Sequence, residues 1–328
     1  MILVVGGAGF IGSHVMKLLR ESNEPHLVFD NLVHGHRKAV QESKLVLGDL
    51  SSPHDLNQVF ASHPDIDTVM HFAAYISVGE SVREPAKYYQ NNFGGMLNLV
   101  EAMRQHGVGK MVFSSTAAVY GVPQRIPLDE KHPTNPINPY GHSKLMAEQL
   151  LRDMEIAHGF HSVCLRYFNA AGSDPTGVLG EDHDPEEHLI PNVLLSAMGK
   201  KPTLKVFGDD YPTPDGTCVR DYIHVEDLAD AHLLAVKHLR EKGESRTYNL
   251  GNGRGYSIKE VLDTAIQVTG KDIPFEVCPR RLGDSPELVA DASRIHADWG
   301  WTPKRPALSD IVADAWRWRL AHPDGYSE

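Results

Sequence analysis

The sequence predicts an α/β fold, a doubly wound parallel sheet joined to a smaller α+β portion at its C-terminal end. Three observations predict it. Over the first two-thirds of the 328 residues, short apolar runs alternate with amphipathic stretches, the pattern of βαβ units. A glycine cluster follows the first apolar run directly. Beyond about residue 170 the alternation gives way to loops and isolated helical patterns.

The elements follow in order. Ile2–Val5 reads as a buried strand, and His14–Leu19 lies in the helix after the glycine turn. Leu27–Asp30, Lys44–Leu47, Thr68–Phe72 and Lys110–Ser114 are the next four strands. Helical spacing of Phe93, Met96, Leu97, Val100 and Met103 predicts one long helix over Ala86–Gln105. A second long helix covers Pro139–Ala157, and His161–Tyr167 is a further strand. The loop Ser173–Glu187 is rich in Asp, Glu, Gly and Pro, and a second loop spans Gly208–Gly216. Helices are expected near His188–Met198, Val225–Leu239, Ile258–Val268 and Leu308–Ala321. The predicted division is 1–170 and 171–328, with segments near 218–240 packing back on the first part.

Composition narrows the function. Hydrophobic residues are 41% and charged residues 23%, as in an ordinary soluble globular protein. The net charge of −11 argues against nucleic acid and anionic membrane surfaces as partners. Cys164, Cys218 and Cys278 are widely spaced, with no CxxC pair, which points to reduced thiols and not to a disulfide framework. The apolar N-terminal run is five residues long and lacks a basic lead, so no targeting segment is expected and the expected location is cytoplasmic.

Two motifs carry chemistry. Gly6-Gly7-Ala8-Gly9-Phe10-Ile11-Gly12 stands at a strand-to-helix junction. Glycines there allow a tight turn and close approach of a pyrophosphate, whose charge meets the N–H groups of the helix N-terminus. Asp30 ends the second strand, 18 residues after Gly12, near the roughly 20 expected of the acid that binds an adenosine ribose. A carboxylate there accepts a hydrogen bond from a 2′-hydroxyl and repels a 2′-phosphate, so the expected cofactor is NAD and not NADP. Gly48-Asp49-Leu50 suits the adenine edge or is simple turn chemistry. The second motif is Tyr140-Gly-His-Ser-Lys144. On a helix its ends share one face, and an ammonium beside the phenol is expected to lower the phenol's pKa and make it a general base toward an alcohol. The same spacing also arises in an exposed i,i+4 pair. Ser114-Ser115-Thr116 favours the catalytic reading, because it lies at a strand's carboxyl end, where open parallel sheets bind ligands.

With Asp30-Asn31, His71–Ala74, Ser114–Gly121, Pro139–Lys144 and Arg166–Gly172, the chain resembles the extended short-chain dehydrogenase/reductases. Val78–Val82, Phe207–Thr217, Val219–His232, Tyr248–Gly253 and the tail Trp316–Tyr326 make it similar, over essentially its whole length, to the UDP-glucose 4-epimerase family. The resemblance implies a Rossmann-type NAD domain and a UDP-sugar domain. Tyr140 would take the sugar 4-hydroxyl proton, Lys144 would lower its pKa and hold the nicotinamide ribose, and Thr116 would bridge them to the substrate oxygen. Hydride would pass to NAD, and the 4-keto sugar would turn over and receive it on the opposite face. Cofactor contacts are implied for Gly6, Gly9, Phe10, Ile11, Gly12, Asp30, Asn31, Asp49, Leu50, Phe72, Ala73, Ala74, Asn92, Ser114, Tyr140, Lys144 and Tyr167. Substrate contacts are implied for Thr116, Asn169, His188, Leu189, Lys205, Val206, Phe207, Arg220, Tyr222, Arg281, Asp284 and Leu288. A homodimer through the helices Ala86–Gln105 and Pro139–Ala157 is implied as well.

The chain departs from the family at four positions. Val5 replaces a Thr common before the glycines, and Ile76 stands where some epimerases have a phosphate-contacting lysine. His188 replaces an Asn that contacts the sugar. Leu288 is intermediate in size at the position bordering the sugar 2-substituent, so the sequence leaves N-acetylated sugars open. Three rival functions meet specific objections in the sequence. A 4,6-dehydratase needs Asp and Glu after the Thr, where Ala117 and Ala118 stand. A non-catalytic dinucleotide sensor needs no base such as Tyr140. A metal enzyme could use the spacings His34-Gly-His36 or His158-Gly-Phe-His161, but no HExxH occurs and no metal is expected.

Overall fold

The computed structural model describes residues 1–201, 203–281 and 285–327. Its strands are β1 (Ile2–Val5), β2 (His26–Asp30), β3 (Leu45–Leu47), β4 (Thr68–His71), β5 (Lys110–Thr116), β6 (His161–Tyr167), β7 (Asn169–Ala171), β8 (Leu204–Phe207), β9 (Val219–His224), β10 (Arg246–Leu250), β11 (Gly255–Ser257), β12 (Phe275–Cys278) and β13 (Glu287–Leu288). Seven of them form one sheet in the order β3-β2-β1-β4-β5-β6-β10. All its pairings are parallel. The expected doubly wound α/β fold is the one observed.

All four residues of β1 are buried, as a strand covered on both faces requires. In register, Ile2 of β1 pairs with His26 of β2 and Thr68 of β4. The chain runs outward from β1 to β3, then crosses back to β4 and continues the other way. Strand order therefore reverses between β1 and β4, and a crevice opens outside their carboxyl ends.

Helices cover both faces. On one face, Val15, Met16 and Leu19 of helix Phe10–Glu21 share a core with Leu228, Ala231 and Ala235 of helix Val225–Glu241. On the other, Leu56, Val59 and Phe60 of helix Pro53–Ser62 join Leu99 and Met103 of Gly95–Gln105 and Ala147 and Leu151 of Pro139–His158. A third core packs helices Leu189–Ala197, Ile258–Thr269 and Leu308–Ala321 on β7, β8, β9 and β11.

Local chemistry sets the helix ends. Asn138 caps the helix that carries Tyr140 and Lys144, its Oδ1 accepting from Gly141 N at 2.8 Å, with Pro139 at the first position. Gly159, at φ 66°, stops that helix in the left-handed conformation. Ser257 and Glu260 form a reciprocal capping box on Ile258–Thr269.

The expected long helix over 86–105 is broken. Pro85–Tyr88 leads into a π-helical turn at Tyr89–Gly94 before the α-helix resumes at Gly95. Asn92 accounts for the bulge: its Oδ1 accepts from Tyr75 N at 2.9 Å, and its Nδ2 donates to Tyr75 O at 3.0 Å and Ser143 Oγ at 3.1 Å. Among the described residues, no helix is long and apolar enough to cross a membrane.

Candidate active site

The crevice is a cleft of about 1470 Å³. One side is built from the β1 turn and the ends of β2, β4, β5 and β6, and the other from the 181–192 segment, β8 and Tyr222.

The dinucleotide turn is held open by its glycines. Gly6 has φ 79°, and a Cβ on it would lie 2.4 Å from Ala73 N. A Cβ on Gly12 would lie 2.4 Å from Gly6 O. Helix Phe10–Glu21 begins at Gly9 with no side-chain cap and no acid in its first turn. Its first N–H groups thus face the cleft without an internal partner, which suits a pyrophosphate. Asp30 closes the rim, its two oxygens accepting from Ala8 N at 2.9 Å and Leu32 N at 2.8 Å. Burial raises its pKa, and these two N–H groups oppose the rise. Each oxygen keeps a lone pair for a ribose hydroxyl. Beside it, Asn31 Nδ2 donates to Asp49 Oδ2 at 2.7 Å and holds the Asp49 carboxyl low. The residues present fit a dinucleotide.

Thr116, Tyr140 and Lys144 all face the cleft. Thr116 ends β5, and its Oγ1 accepts from Ala118 N at 3.1 Å. Lys144 is buried; its Nζ donates to Ser114 O at 2.8 Å and sits 4.9 Å from the Phe113 ring centroid. The expected electrostatics need correction. Burial pushes the Tyr140 phenol up, and the group opposing the rise is the Thr116 hydroxyl, not Lys144. Burial likewise pushes Lys144 down to about 7, with the Glu148 carboxylate one turn along working against it. In the closed site both side chains are thus driven toward their neutral forms. Ser114 Oγ is hydrogen-bonded to Tyr167 Oη, which fixes the next side chain along the wall.

A buried network stiffens this wall. Glu148 Oε1 accepts from Ser115 Oγ at 2.5 Å and Arg166 Nε at 2.9 Å, and its Oε2 from Arg166 Nη2 at 2.5 Å. Arg166 Nη1 donates to Tyr120 Oη at 3.0 Å, which donates to Asn249 Oδ1 at 2.6 Å.

Residues 2–251 match the NAD dependent epimerase/dehydratase family. The chain belongs to the NAD-dependent epimerase/dehydratase family. Within it, a UDP-glucose 4-epimerase from Halalkalibacterium halodurans is 52% identical over 326 residues, which span 99% of this chain and 97% of that protein. The crystal structure of UDP-glucose 4-epimerase from Brucella ovis in complex with NAD is 48% identical, with a TM-score of 0.93, covering 96% of this chain and 97% of that one. That of UDP-glucose 4-epimerase from Bifidobacterium longum in complex with NAD+ and UDP is 40% identical, with a TM-score of 0.94, covering 99% of both chains. The family expected from the motifs is the one found.

Most epimerase-family positions singled out in the sequence line the cleft, including Phe72, Ala73, Ala74, Leu50, Asn169, His188, Leu189, Lys205, Phe207, Tyr222 and Arg281. Arg281 places its guanidinium 3.9 Å from the Phe207 ring centroid. Four expected contacts do not line it. Asn92 is buried behind the wall and brackets the Tyr75 backbone instead. Val206 points into the third core, the inward face of a strand whose neighbours Lys205 and Phe207 face the cleft. Arg220 Nη1 donates to the carbonyl of Val219 at 2.8 Å, outside the cleft lining. Leu288 packs against Ala117, Val119, Tyr120 and Leu128, one layer back. Asp284 lies outside the described residues.

The sequence reading missed Glu181, His183 and Glu186, which gather with His188 on the cleft wall. Burial alone would lower the imidazole pKa values, but the two carboxylates override it and raise both, His183 to about 9. The signal was present as the spacing Glu181-x-His183-x-x-Glu186-x-His188. It differs from the spacings His34-Gly-His36 and His158-Gly-Phe-His161.

Proposed function

We propose that the chain interconverts UDP-glucose and UDP-galactose by oxidation at the sugar 4-position, turnover of the 4-keto sugar and reduction from its other face. One observation carries the reading. Tyr140, Lys144 and Thr116 face the same cleft as a dinucleotide turn on one side and Phe207, Tyr222 and Arg281 on the other.

Gly6, Gly9, Gly12 and Asp30 would hold NAD, which when bound would supply the hydride acceptor. The chain's own residues handle the proton. Tyr140 Oη accepts it from the sugar 4-hydroxyl and later returns it, a role that needs the phenol ionised against its burial. Thr116 Oγ1 orients the oxygen at the phenol, and Lys144, anchored on Ser114 O, is placed to hold the ribose of the cofactor. Arg281, held flat by Phe207, suits the diphosphate of the sugar nucleotide. Elimination of water is disfavoured, because Ala117 and Ala118 offer no acid–base pair after Thr116.

The reading extends in three ways. Residues 1–170 form the cofactor half and 171–328 the sugar half, with helix Val225–Glu241 returning to the former. The chain forms a homodimer through the helices ending in Gln105 and His158, on which Leu97, Met146 and Ile156 are exposed. Selection between plain and N-acetylated UDP-sugars at position 288 would act through the layer behind the wall, where Leu288 packs on Ala117 and Tyr120.

Purified protein with NAD and UDP-galactose should yield UDP-glucose, and Tyr140→Phe should abolish this while leaving the circular dichroism spectrum unchanged. Absence of interconversion by the wild type refutes the proposal. UDP-N-acetylglucosamine assayed alongside, with Leu288→Tyr, tests the sugar range; an unchanged ratio of the two activities means that residue 288 does not select. Sedimentation as a monomer at micromolar concentration would refute the dimer.

A further inference from the structure

Glu181, His183, Glu186 and His188 lie on the segment that joins β7 to helix Leu189–Ala197. One donor atom from each lies within 4.8 Å of all the others. His188 Nδ1 is 2.8 Å from Glu181 Oε1 and 3.2 Å from Glu186 Oε1. His183 Nδ1 is 3.4 Å from Glu181 Oε1 and 3.5 Å from Glu186 Oε2. Donors bound at about 2.0–2.1 Å around a tetrahedral zinc stand roughly 3.3 Å apart. The separations of His183 Nδ1 from Glu181 Oε1 and Glu186 Oε2 lie close to that edge, that of His188 Nδ1 from Glu181 Oε1 is shorter, and the remaining edges lie within 4.8 Å.

A second observation separates this cluster from a set of ion pairs. Both Nδ1 atoms and Glu186 Oε2 are shut off from solvent yet have no hydrogen-bond partner. The approaches are short but lack N–H···O alignment, as expected where each atom points at a common centre and not at its neighbour. The Glu186 side chain is only 5% exposed and that of Glu181 only 6%. The frame is already fixed from outside. Glu186 Oε1 accepts from His188 N at 2.8 Å, which leaves Oε2 turned inward. Arg319 Nη2 donates to Glu181 O at 2.9 Å, and Asn192 Nδ2 donates to His188 O at 2.8 Å.

We propose that Glu181, His183, Glu186 and His188 bind one divalent transition cation of the zinc class, which fastens the 173–188 loop to the start of helix Leu189–Ala197 and fixes that wall of the cleft. Two imidazoles disfavour calcium and magnesium, which take oxygen shells, and a tetrahedral N2O2 set suits zinc. Binding would displace the imidazole protons. Two carboxylates, two neutral imidazoles and a divalent ion then sum to zero charge, which suits a site whose carboxylates are buried while the His188 side chain is 42% exposed. Four protein donors close the shell, so the ion's role is to hold the loop and not to activate water. The site stands whether or not the cleft takes a UDP-sugar.

The test uses full-length protein, stripped with a chelator and desalted. Titration with Zn2+ by calorimetry should show one equivalent bound, and Co2+ should give the strong visible bands of tetrahedral coordination. His183→Gln and His188→Gln, each checked for folding by circular dichroism, should weaken Zn2+ binding by at least about tenfold. Binding well below one equivalent, or weak octahedral Co2+ bands in the wild type, overturns the proposal. So does undiminished binding by both variants, which would put the ion on others of the 19 histidines. If the variants do not fold, the wild-type stoichiometry and Co2+ spectrum decide.

Discussion

Removing Arg166 should destabilise the wall of the cleft from within. Its guanidinium meets Glu148 through two hydrogen bonds, 2.9 and 2.5 Å, and both side chains are buried. In Arg166→Met the carboxylate keeps only Ser115 Oγ at 2.5 Å and the distal Arg152 at 3.7 Å. Leaving a buried charge without its partner costs about 3–5 kcal/mol. Unfolding entropy of roughly 2.1 cal/mol/K per residue gives about 0.7 kcal/mol/K for this chain, so the melting temperature should fall by about 4–7 °C. Glu148→Leu should cost a similar amount for the mirror-image reason. The double variant should recover most of the loss, because two apolar side chains replace a buried pair at little net cost. Thermal and urea unfolding of the four proteins closes the cycle, with an expected coupling of at least about 3 kcal/mol. Additive losses, or single variants within about 1 °C of wild type, would refute the reasoning. Glu148 also opposes the burial of Lys144. Glu148→Leu should therefore lower the Lys144 pKa further, and the pH profile of interconversion should move toward acid.

Gly12→Ala places a Cβ 2.4 Å from Gly6 O and 2.8 Å from Gly7 Cα, so the turn must open; the variant should lose NAD on gel filtration, read from its absorbance ratio. Thr116→Val removes the hydroxyl that opposes the rise in the Tyr140 pKa, and kcat should fall by about 100-fold with KM little changed and the rising limb of the pH profile displaced upward. Acid should destabilise the chain as pH drops from 6.5 toward 4. His14 and His232 are held at about 4 and His71 at about 3 by burial, so in that window the unfolded chain binds more protons and stability falls. Asp221, raised by burial from 3.8 to about 6, works the other way between those values, as do Asp30, Glu130, Glu226 and Asp227, also raised by burial, but the three imidazoles outweigh them through the upper part of the window, near pH 6.5. A urea midpoint that stays flat between pH 6.5 and 4 would contradict this.

The cofactor half was legible in the sequence because its signals are local. A strand, a glycine turn and an acid at fixed spacing each report on their own neighbourhood, and Gly6, Gly12 and Asp30 stand where that spacing puts them. That Thr116, Tyr140 and Lys144 share one cleft was legible for the same reason, but their electrostatics were not. Spacing says that Tyr140 and Lys144 share a helix face, whereas their pKa values follow from burial, which depends on the whole packed wall. The break at Tyr89–Gly94 was hidden because its cause, Asn92 reaching back to Tyr75, is a tertiary contact. Phe207 and Val206 are adjacent in sequence but face opposite sides of β8, so a motif covering both cannot say which touches a ligand.

The sheet closes with β10, which joins its edge only at Arg246–Leu250. Helix Val225–Glu241, just before it, covers Val15, Met16 and Leu19. A ribosome therefore releases a nearly complete cofactor fold long before its last strand and covering helix exist. Until about residue 250 has emerged, the apolar stripe of the first helix lies bare in the nascent chain, a surface that chaperones bind. Final closure of the sheet is a late event in the making of the molecule.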